Sequence, residues 1–118
     1  MLIALYNRVF DEADLPLLQH IFHLLKENNV RVSVYKDFYE RMLPHIDFEQ
    51  EPLLFTGYND LSRGTNFMIS LGGDGTMLDA VCFIGDSNIP IIGINLGRLG
   101  FLAAIPENEI DIALNGMI

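Results

Sequence analysis

The 118-residue sequence contains no tryptophan, one cysteine and few cations. A single cysteine, Cys82, cannot form an internal disulfide, so the chain lacks the cross-linked framework of small secreted domains and suits a reducing cytoplasm. Lysine and arginine number 7 against 16 acidic residues, which gives a net charge of −9. A surface for duplex nucleic acid needs clustered cations, and these are scattered singly, so we expect no nucleic-acid partner.

Long apolar runs are also absent. No stretch approaches the roughly 20 apolar residues of a membrane span, and the apolar start is too short for a signal peptide. Half of the residues are hydrophobic, which is typical of a globular protein. We therefore expect a soluble, acidic, cytoplasmic domain with no membrane partner, able to bury about two-thirds of its unfolded surface.

What the sequence does contain is an alternation of strand-like and helix-like segments. Strands are predicted at residues 2–6, 30–35, 66–71 and 91–95, with a weaker signal at 53–55. Helices are predicted from the N-cap Asp14 to about residue 27, then at 38–43, 76–84 and 107–117. Such alternation indicates βαβ units, and hence an α/β, Rossmann-like, three-layer domain with a parallel sheet.

The most informative stretch is Gly-Gly-Asp-Gly-Thr at residues 72–76, between a strand and a helix. Clustered glycines let backbone N–H groups converge and let a ligand approach closely, and the helix N-terminus adds partial positive charge. Thr76 and Asp79 fit a capping box that would begin the helix. The motif is neither a Walker A loop nor a Gly-x-Gly-x-x-Gly fingerprint. A tight turn without a ligand is the alternative interpretation.

Three loops should share one edge of the sheet, because each follows a parallel strand. They are residues 7–8, 72–76 and 95–101. This places Arg8 and Arg98 where an anionic ligand would lie. Phe101 could stack on a nucleobase or fill the core beneath its turn, and Asp74 could contact a ligand or serve as a turn residue.

Other polar residues carry weaker signals. His20 and His23 lie three apart on a predicted helix but have no evident third metal ligand, so we interpret them as ordinary helix residues. Cys82 is predicted to be a core residue of its helix. Three acids in the weakly patterned middle of the chain are expected to form a solvated surface: Asp47, Glu49 and Glu51.

With both glycine loops considered, the chain resembles the N-terminal domain of NAD kinases. The resemblance rests on residues 72–76 and on Gly-Ile-Asn-Leu-Gly-Arg-Leu-Gly-Phe-Leu at residues 93–102. The first motif is shared with phosphofructokinases and lipid kinases, whereas the second is more specific. Lipid kinases would be expected to continue with Asn-Glu-Val, where this chain has Met77, Leu78 and Asp79.

The resemblance implies transfer of a phosphoryl group from ATP, or polyphosphate, to the adenosine ribose 2′-hydroxyl of NAD, which gives NADP. It implies that Asp74 contacts that hydroxyl as the catalytic residue, and that Mg²⁺ accompanies the phosphates without a dedicated set of protein ligands. A carboxylate at a helix N-terminus is a weak base, so we expect Asp74 to orient the hydroxyl rather than to deprotonate it early. The candidate nucleotide-binding residues are Arg8, Gly72, Gly73, Gly75, Thr76, Leu78, Asn95 and Phe101.

The same resemblance predicts the domain organisation. Residues 1–106 would form the N-terminal α/β domain, and residues 107–118 a helix leading to a β-rich C-terminal domain that this sequence does not contain. The piece alone would then have little kinase activity, and the full-length protein would be a homo-oligomer, either a dimer or a tetramer. The rival interpretations are a lipid or sugar kinase and a non-catalytic nucleotide-binding module.

Overall fold

The structure, a computed structural model, describes residues 1–96 and 110–117. Within these ranges the chain forms five strands: β1 (Leu2–Tyr6), β2 (Arg31–Tyr35), β3 (Leu53–Phe55), β4 (Phe67–Gly72) and β5 (Ile91–Asn95). The α-helices are α1 (Leu15–Glu27), α2 (Lys36–Met42), α3 (Asp74–Ile84) and α4 (Ile110–Met117). Two 3₁₀ turns, Glu12–Asp14 and Tyr58–Asp60, complete the described elements.

All five strands are parallel and lie in the order β3-β2-β1-β4-β5. The chain first builds outward from β1 through β2 to β3, and then crosses to the other side of β1 to form β4 and β5. In open α/β sheets, ligands bind beyond the carboxyl ends of the strands where the order reverses, here between β1 and β4. The predicted fold class is confirmed.

Side chains from the two faces of the sheet form two separate hydrophobic clusters. On one face, α1, α2 and α4 pack through residues that include Phe22, Phe38 and Leu114. On the other face, α3 packs through Ala80 and Ile84. Helices cover both faces, because strands that are apolar on both sides must be buried on both. The predicted three layers are therefore confirmed.

Several local predictions were wrong. Helix α3 begins at Asp74 rather than Thr76, because Gly73 occupies the N-cap and the expected capping box does not form. Asp14 is the N-cap of α1 as predicted, although its carboxylate accepts the Asp11 backbone N–H at 2.9 Å and makes no capping bond to α1. Cys82 is exposed on α3 rather than part of the core.

The remaining boundaries agree with the predictions to within two residues, where they fall in the described ranges. The predicted start of the last helix, residues 107–109, lies outside the described residues, as do Arg98 and Phe101. Among the described helices, none is long and apolar enough to cross a lipid bilayer.

Candidate functional site

A cavity of about 460 Å³ opens beyond the carboxyl ends of β1 and β4. Two loops form most of its wall: the segment after β1, from Arg8 to Asp11 with Asp14, and the glycine turn after β4. Leu96, which follows β5, completes the described lining. The three loops predicted to share an edge therefore meet around one cavity, as far as the described residues extend.

The three glycines of the turn differ in what a side chain at each position would meet. A Cβ atom on Gly72, which has a φ of +154°, would lie 2.5 Å from Oγ1 and 2.9 Å from Cβ of the buried Thr76. A Cβ on Gly73 would meet nothing within 4 Å, and one on Gly75 would lie 2.8 Å from Nη1 of Arg8. The fold itself thus excludes side chains at Gly72, while at Gly73 it leaves open space beside the cavity.

Asp74 is the first residue of α3, and it lines the cavity with its side chain partly buried. The helix N-terminus stabilises its carboxylate. Asp74 already interacts with the rest of the protein, so a ligand would share or replace that interaction. Because its N-cap is Gly73, the first turn of α3 has no side-chain cap of its own.

Arg8 is held at the cavity by an ion pair that the sequence did not reveal. Its Nε lies 3.0 Å from Oδ2 of Asp79, and its Nη2 lies 3.5 Å from Oδ1. The hydroxyl of Tyr6 donates a hydrogen bond of 2.7 Å to the same Oδ2. Burial, assisted by this hydrogen bond to Asp79, raises the pKa of Tyr6 above its ordinary value of 10.0, so the hydroxyl stays protonated and remains a donor.

Asn7 links the loop after β1 to the end of β4 through hydrogen bonds. Its fully buried side-chain amide donates to the backbone carbonyls of Leu71, in β4, and of Val9, at 3.0 Å. The guanidinium of Arg41, in α2, donates a hydrogen bond of 3.1 Å to the backbone carbonyl of Asn7. A buried amide with these partners fixes the loop after β1 relative to the glycine turn, because breaking such bonds leaves unpaired polar groups.

The structure does not bring all of the predicted residues to the cavity. Arg8, Gly72, Gly73, Asp74, Gly75 and Thr76 line it together. Asn95 ends β5 opposite Gly72 but is not part of the lining, and Leu78 lies on α3 outside it, with 60% of its surface exposed. Phe101 lies outside the described residues.

The histidines pair with acids. His20 lies 2.6 Å from Asp111 of α4, and His23 lies 3.0 Å from Glu27 and from Glu49. In residues 1–96 and 110–117 no group of three or more His, Cys, Asp or Glu side chains could hold a metal ion. Glu49, predicted to be part of a solvated surface, thus proves to be paired with His23.

Comparison with known proteins decides the family. Residues 5–118 match the model of the ATP-NAD kinase N-terminal domain. The chain belongs to the NAD kinase family. It is 37% identical over 119 residues to an NAD kinase from Cytophaga hutchinsonii and 36% identical over 122 residues to one from Flavobacterium johnsoniae. Each alignment covers 100% of this chain and 40% of the relative, so the chain spans about 40% of the length of these NAD kinases.

A solved structure has the same fold. The crystal structure of yeast NADH kinase complexed with NADH superposes with a TM-score of 0.73 at 22% sequence identity. The match covers 97% of this chain and 36% of the yeast chain. The resemblance to NAD kinases inferred from the two glycine motifs is therefore confirmed at the level of family and fold.

Proposed function

We propose that this chain is the nucleotide-binding N-terminal domain of an enzyme that phosphorylates the adenosine ribose 2′-hydroxyl of NAD to give NADP. The observation that carries the proposal is the cavity between β1 and β4, where a glycine turn, a helix N-terminus, an arginine and a carboxylate meet. A cationic side chain and converging amides favour phosphate groups, and the carboxylate offers an acceptor for a sugar hydroxyl. The family membership makes NAD the preferred candidate for the acceptor.

In this proposal the glycine turn receives phosphate oxygens. The first turn of α3 has no side-chain cap, so its backbone N–H groups are suited to an outside acceptor. The open space at Gly73 lets a ligand approach the backbone closely. Arg8, exposed over 60% of its side chain, contributes the positive charge.

Asp74 orients the acceptor. Its carboxylate accepts a hydrogen bond from the ribose 2′-hydroxyl and takes the proton late, after the bond to the incoming phosphorus has begun to form. Phosphoryl transfer passes through a loose transition state with little charge on the nucleophile, so early deprotonation adds little. Holding the hydroxyl in line is the larger contribution.

The base-binding part of the site is assigned by position. Leu78 presents an exposed apolar side chain one turn beyond Asp74 on α3, and apolar surface of this kind suits the flat face of adenine. We propose that Leu78, Asn95 and Phe101 contact the NAD nucleosides, with Thr76 supporting the turn from within.

ATP or polyphosphate would be the phosphate donor, with Mg²⁺ bound to its phosphates. Mg²⁺ usually keeps several waters and needs only one or two carboxylates besides phosphate oxygens, so it would not require a dedicated cluster of protein ligands. The carboxylates of the cavity that could reach such an ion are Asp11, Asp14 and Asp74. The ion would neutralise charge on the phosphates.

The proposal is tested by Asp74→Asn in the protein produced from the native gene. We expect the kcat for NADP formation to fall at least about a hundredfold, while the dissociation constant of NAD changes little. The amide occupies the same space, but its neutral oxygen is a weaker acceptor, its NH₂ group can turn toward the hydroxyl instead, and it cannot take up the proton. Glu51→Gln is the matched control, since it removes one charge from an exposed residue just before β3, at the opposite edge of the sheet. Unchanged kcat in Asp74→Asn would refute the assigned role, and no NADP formation by the unaltered protein would refute the activity.

We extend the proposal to the rest of the protein. A β-rich C-terminal domain would complete the NAD site beyond residues 107–118, so residues 1–118 alone should form NADP at a negligible rate. The protein would act in the cytoplasm as a dimer or tetramer, and the free thiol of Cys82, exposed on α3, suits a reducing compartment. Light scattering on the protein from the native gene tests the assembly.

A further inference from the structure

Three side chains outside the glycine turn form a continuous chain of contacts that ends at the cavity. Tyr6 contacts Asp79 and Asp79 contacts Arg8, but only Arg8 lines the cavity. Tyr6 and Asp79 therefore lie behind Arg8, as seen from a ligand. The proposed phosphate-binding role explains Arg8 and leaves the other two residues without a function.

In this geometry the two edges of the Arg8 guanidinium face different groups. Nε and Nη2 face the carboxylate of Asp79, at 3.0 and 3.5 Å. Nη1 lies on the remaining side, 2.8 Å from the point where a side chain on Gly75 would begin. The pairing with Asp79 thus uses one edge of the guanidinium and leaves Nη1 at the first turn of α3, where the ligand phosphates are proposed to bind.

Tyr6, at the buried end of these contacts, is held in a fixed position. Tyr6 is 5% exposed, and its ring packs edge-on against Tyr35 at 5.0 Å and Phe83 at 4.8 Å between centroids. Its hydroxyl therefore has one fixed direction, toward Asp79. A carboxylate fixed by a buried donor holds a long arginine side chain in one orientation. The arginine side chain therefore loses less conformational entropy when a ligand binds.

We propose that Tyr6 and Asp79 are positioning residues, which hold the Arg8 guanidinium against Gly75 so that Nη1 is directed at a phosphate group in the cavity. The inference rests on the proposed function for the identity of the nucleotide, but not for the binding of phosphate itself. The opposing possibility is that Asp79 only neutralises Arg8 and competes with the ligand for it.

The sign of one mutational effect separates these two possibilities. Asp79→Asn removes a negative charge beside the cavity, so by charge alone it must strengthen the binding of an anion. If Asp79 positions Arg8, the same substitution weakens binding in spite of the favourable change in charge. Tyr6→Phe changes no charge, and therefore reports positioning directly.

The experiment measures the binding of inorganic pyrophosphate by calorimetry to the protein produced from the native gene. We expect the affinity to fall about tenfold or more in Arg8→Ala, about threefold to fivefold in Asp79→Asn and about twofold to threefold in Tyr6→Phe. In the Arg8→Ala background, Asp79→Asn should no longer weaken binding and should slightly strengthen it. That reversal would not occur if Asp79 served only to stabilise the fold.

Two controls match the substitutions. Tyr39→Phe removes a hydroxyl from α2, where the ring packs on Phe48, and Glu27→Gln removes a charge at the end of α1, near the amino ends of the strands. Both should bind pyrophosphate as the unaltered protein does, and thermal unfolding should show that all variants are folded. An unchanged or increased affinity in Asp79→Asn, or no measurable binding of pyrophosphate to the unaltered protein, overturns the inference.

NADP formation, measured in the same variants, distinguishes failure of the inference from failure of the proposed function. If the positioning role holds, the KM for the phosphate-bearing substrates rises in Tyr6→Phe and Asp79→Asn more than kcat falls. If the unaltered protein binds pyrophosphate with this mutational pattern but forms no NADP, the proposed function is wrong and the positioning of Arg8 stands. If NADP forms normally and neither substitution has an effect, the positioning role is wrong and the proposed function stands.

Discussion

Two turns in this protein contain the same kinds of residue but have different surroundings. The turn after β3 contains Thr56, Gly57 and Asp60, and the turn after β4 has glycine, aspartate and threonine at residues 72–76. Each follows the carboxyl end of a strand and leads into a helical turn. Composition alone would not say which of them borders a cavity.

The two turns differ in what surrounds them. Asp60 accepts hydrogen bonds from the backbone N–H of Thr56 at 2.9 Å and of Gly57 at 2.9 Å, and from the Thr56 hydroxyl at 2.8 Å. The turn after β3 therefore satisfies its own donors. Both helical turns have glycine at the N-cap, Gly57 and Gly73, but the helix after β4 opens on a cavity. The turn after β3 thus uses its own carboxylate to hold its backbone, whereas the turn after β4 borders a cavity, where we propose that phosphate binds.

The largest expected effect on stability comes from Gly72→Ala. The new Cβ would overlap the buried Thr76 at 2.5 Å, and the backbone at φ +154° is unfavourable for alanine. We expect the free energy of unfolding to fall by roughly 2–3 kcal/mol, as measured by urea denaturation. Gly57→Ala is the matched control from the other turn, since a Cβ there meets nothing within 4 Å and the residue is already extended at φ −179°. Equal stability of the two variants would contradict the packing described for Gly72.

A smaller effect is expected from Asp60→Ala, which opens the turn after β3. Loss of a capping carboxylate typically costs about 1 kcal/mol. Hydrogen bonds from the backbone and hydroxyl of Thr56 lower the pKa of Asp60 below 3.8 in the folded state. The ionised Asp60 carboxylate therefore contributes fully to the free energy of unfolding above pH 3.8, its ordinary pKa. This contribution is lost as the pH falls through the lower pKa of the folded state.

Urea denaturation at neutral and at acidic pH should accordingly show a difference between Asp60→Ala and the unaltered protein that shrinks in acid. Asn59→Ala, at an exposed neighbour in the same turn, is the control and should show no such trend. A pH-independent difference would mean that the carboxylate charge does not hold the turn.

Local patterns were sufficient to predict the sheet and the position of the glycine turn. Val30, Val32 and Val34 alternate as expected of a strand, and β2 spans the last two of them (Arg31–Tyr35). The order of elements then placed the loops after β1 and β4 on one edge, so a cavity lined by Arg8 and Asp74 was predictable. These features depend on neighbours in sequence and on the chirality of parallel connections.

The errors arise where distant residues compete for the same side chain. Thr76 and Asp79 have the spacing of a capping box, but Asp79 pairs with Tyr6, which lies 73 residues away. Asn7 likewise bonds to Leu71, 64 residues away. Such contacts follow from how β1 and β4 come together, and no local pattern encodes them. Cys82, which we predicted to be a core residue of its helix, lies instead on the exposed side of α3.

Gly73→Ala should have the smallest effect on stability and gives the sharpest test of the comparison. With a φ of −116° and nothing within 4 Å of the new Cβ, the free energy of unfolding should change by less than about 0.5 kcal/mol. The same methyl group would occupy the space through which phosphate approaches the backbone, so kcat/KM for NADP formation should fall about tenfold or more. Steady-state kinetics and urea denaturation of the same preparation measure both quantities, with Gly57→Ala as the control for each. A variant with full activity would show that glycine is not needed at Gly73 for the ligand, and the contrast between the two turns would then rest on Gly72 and Asp60 alone.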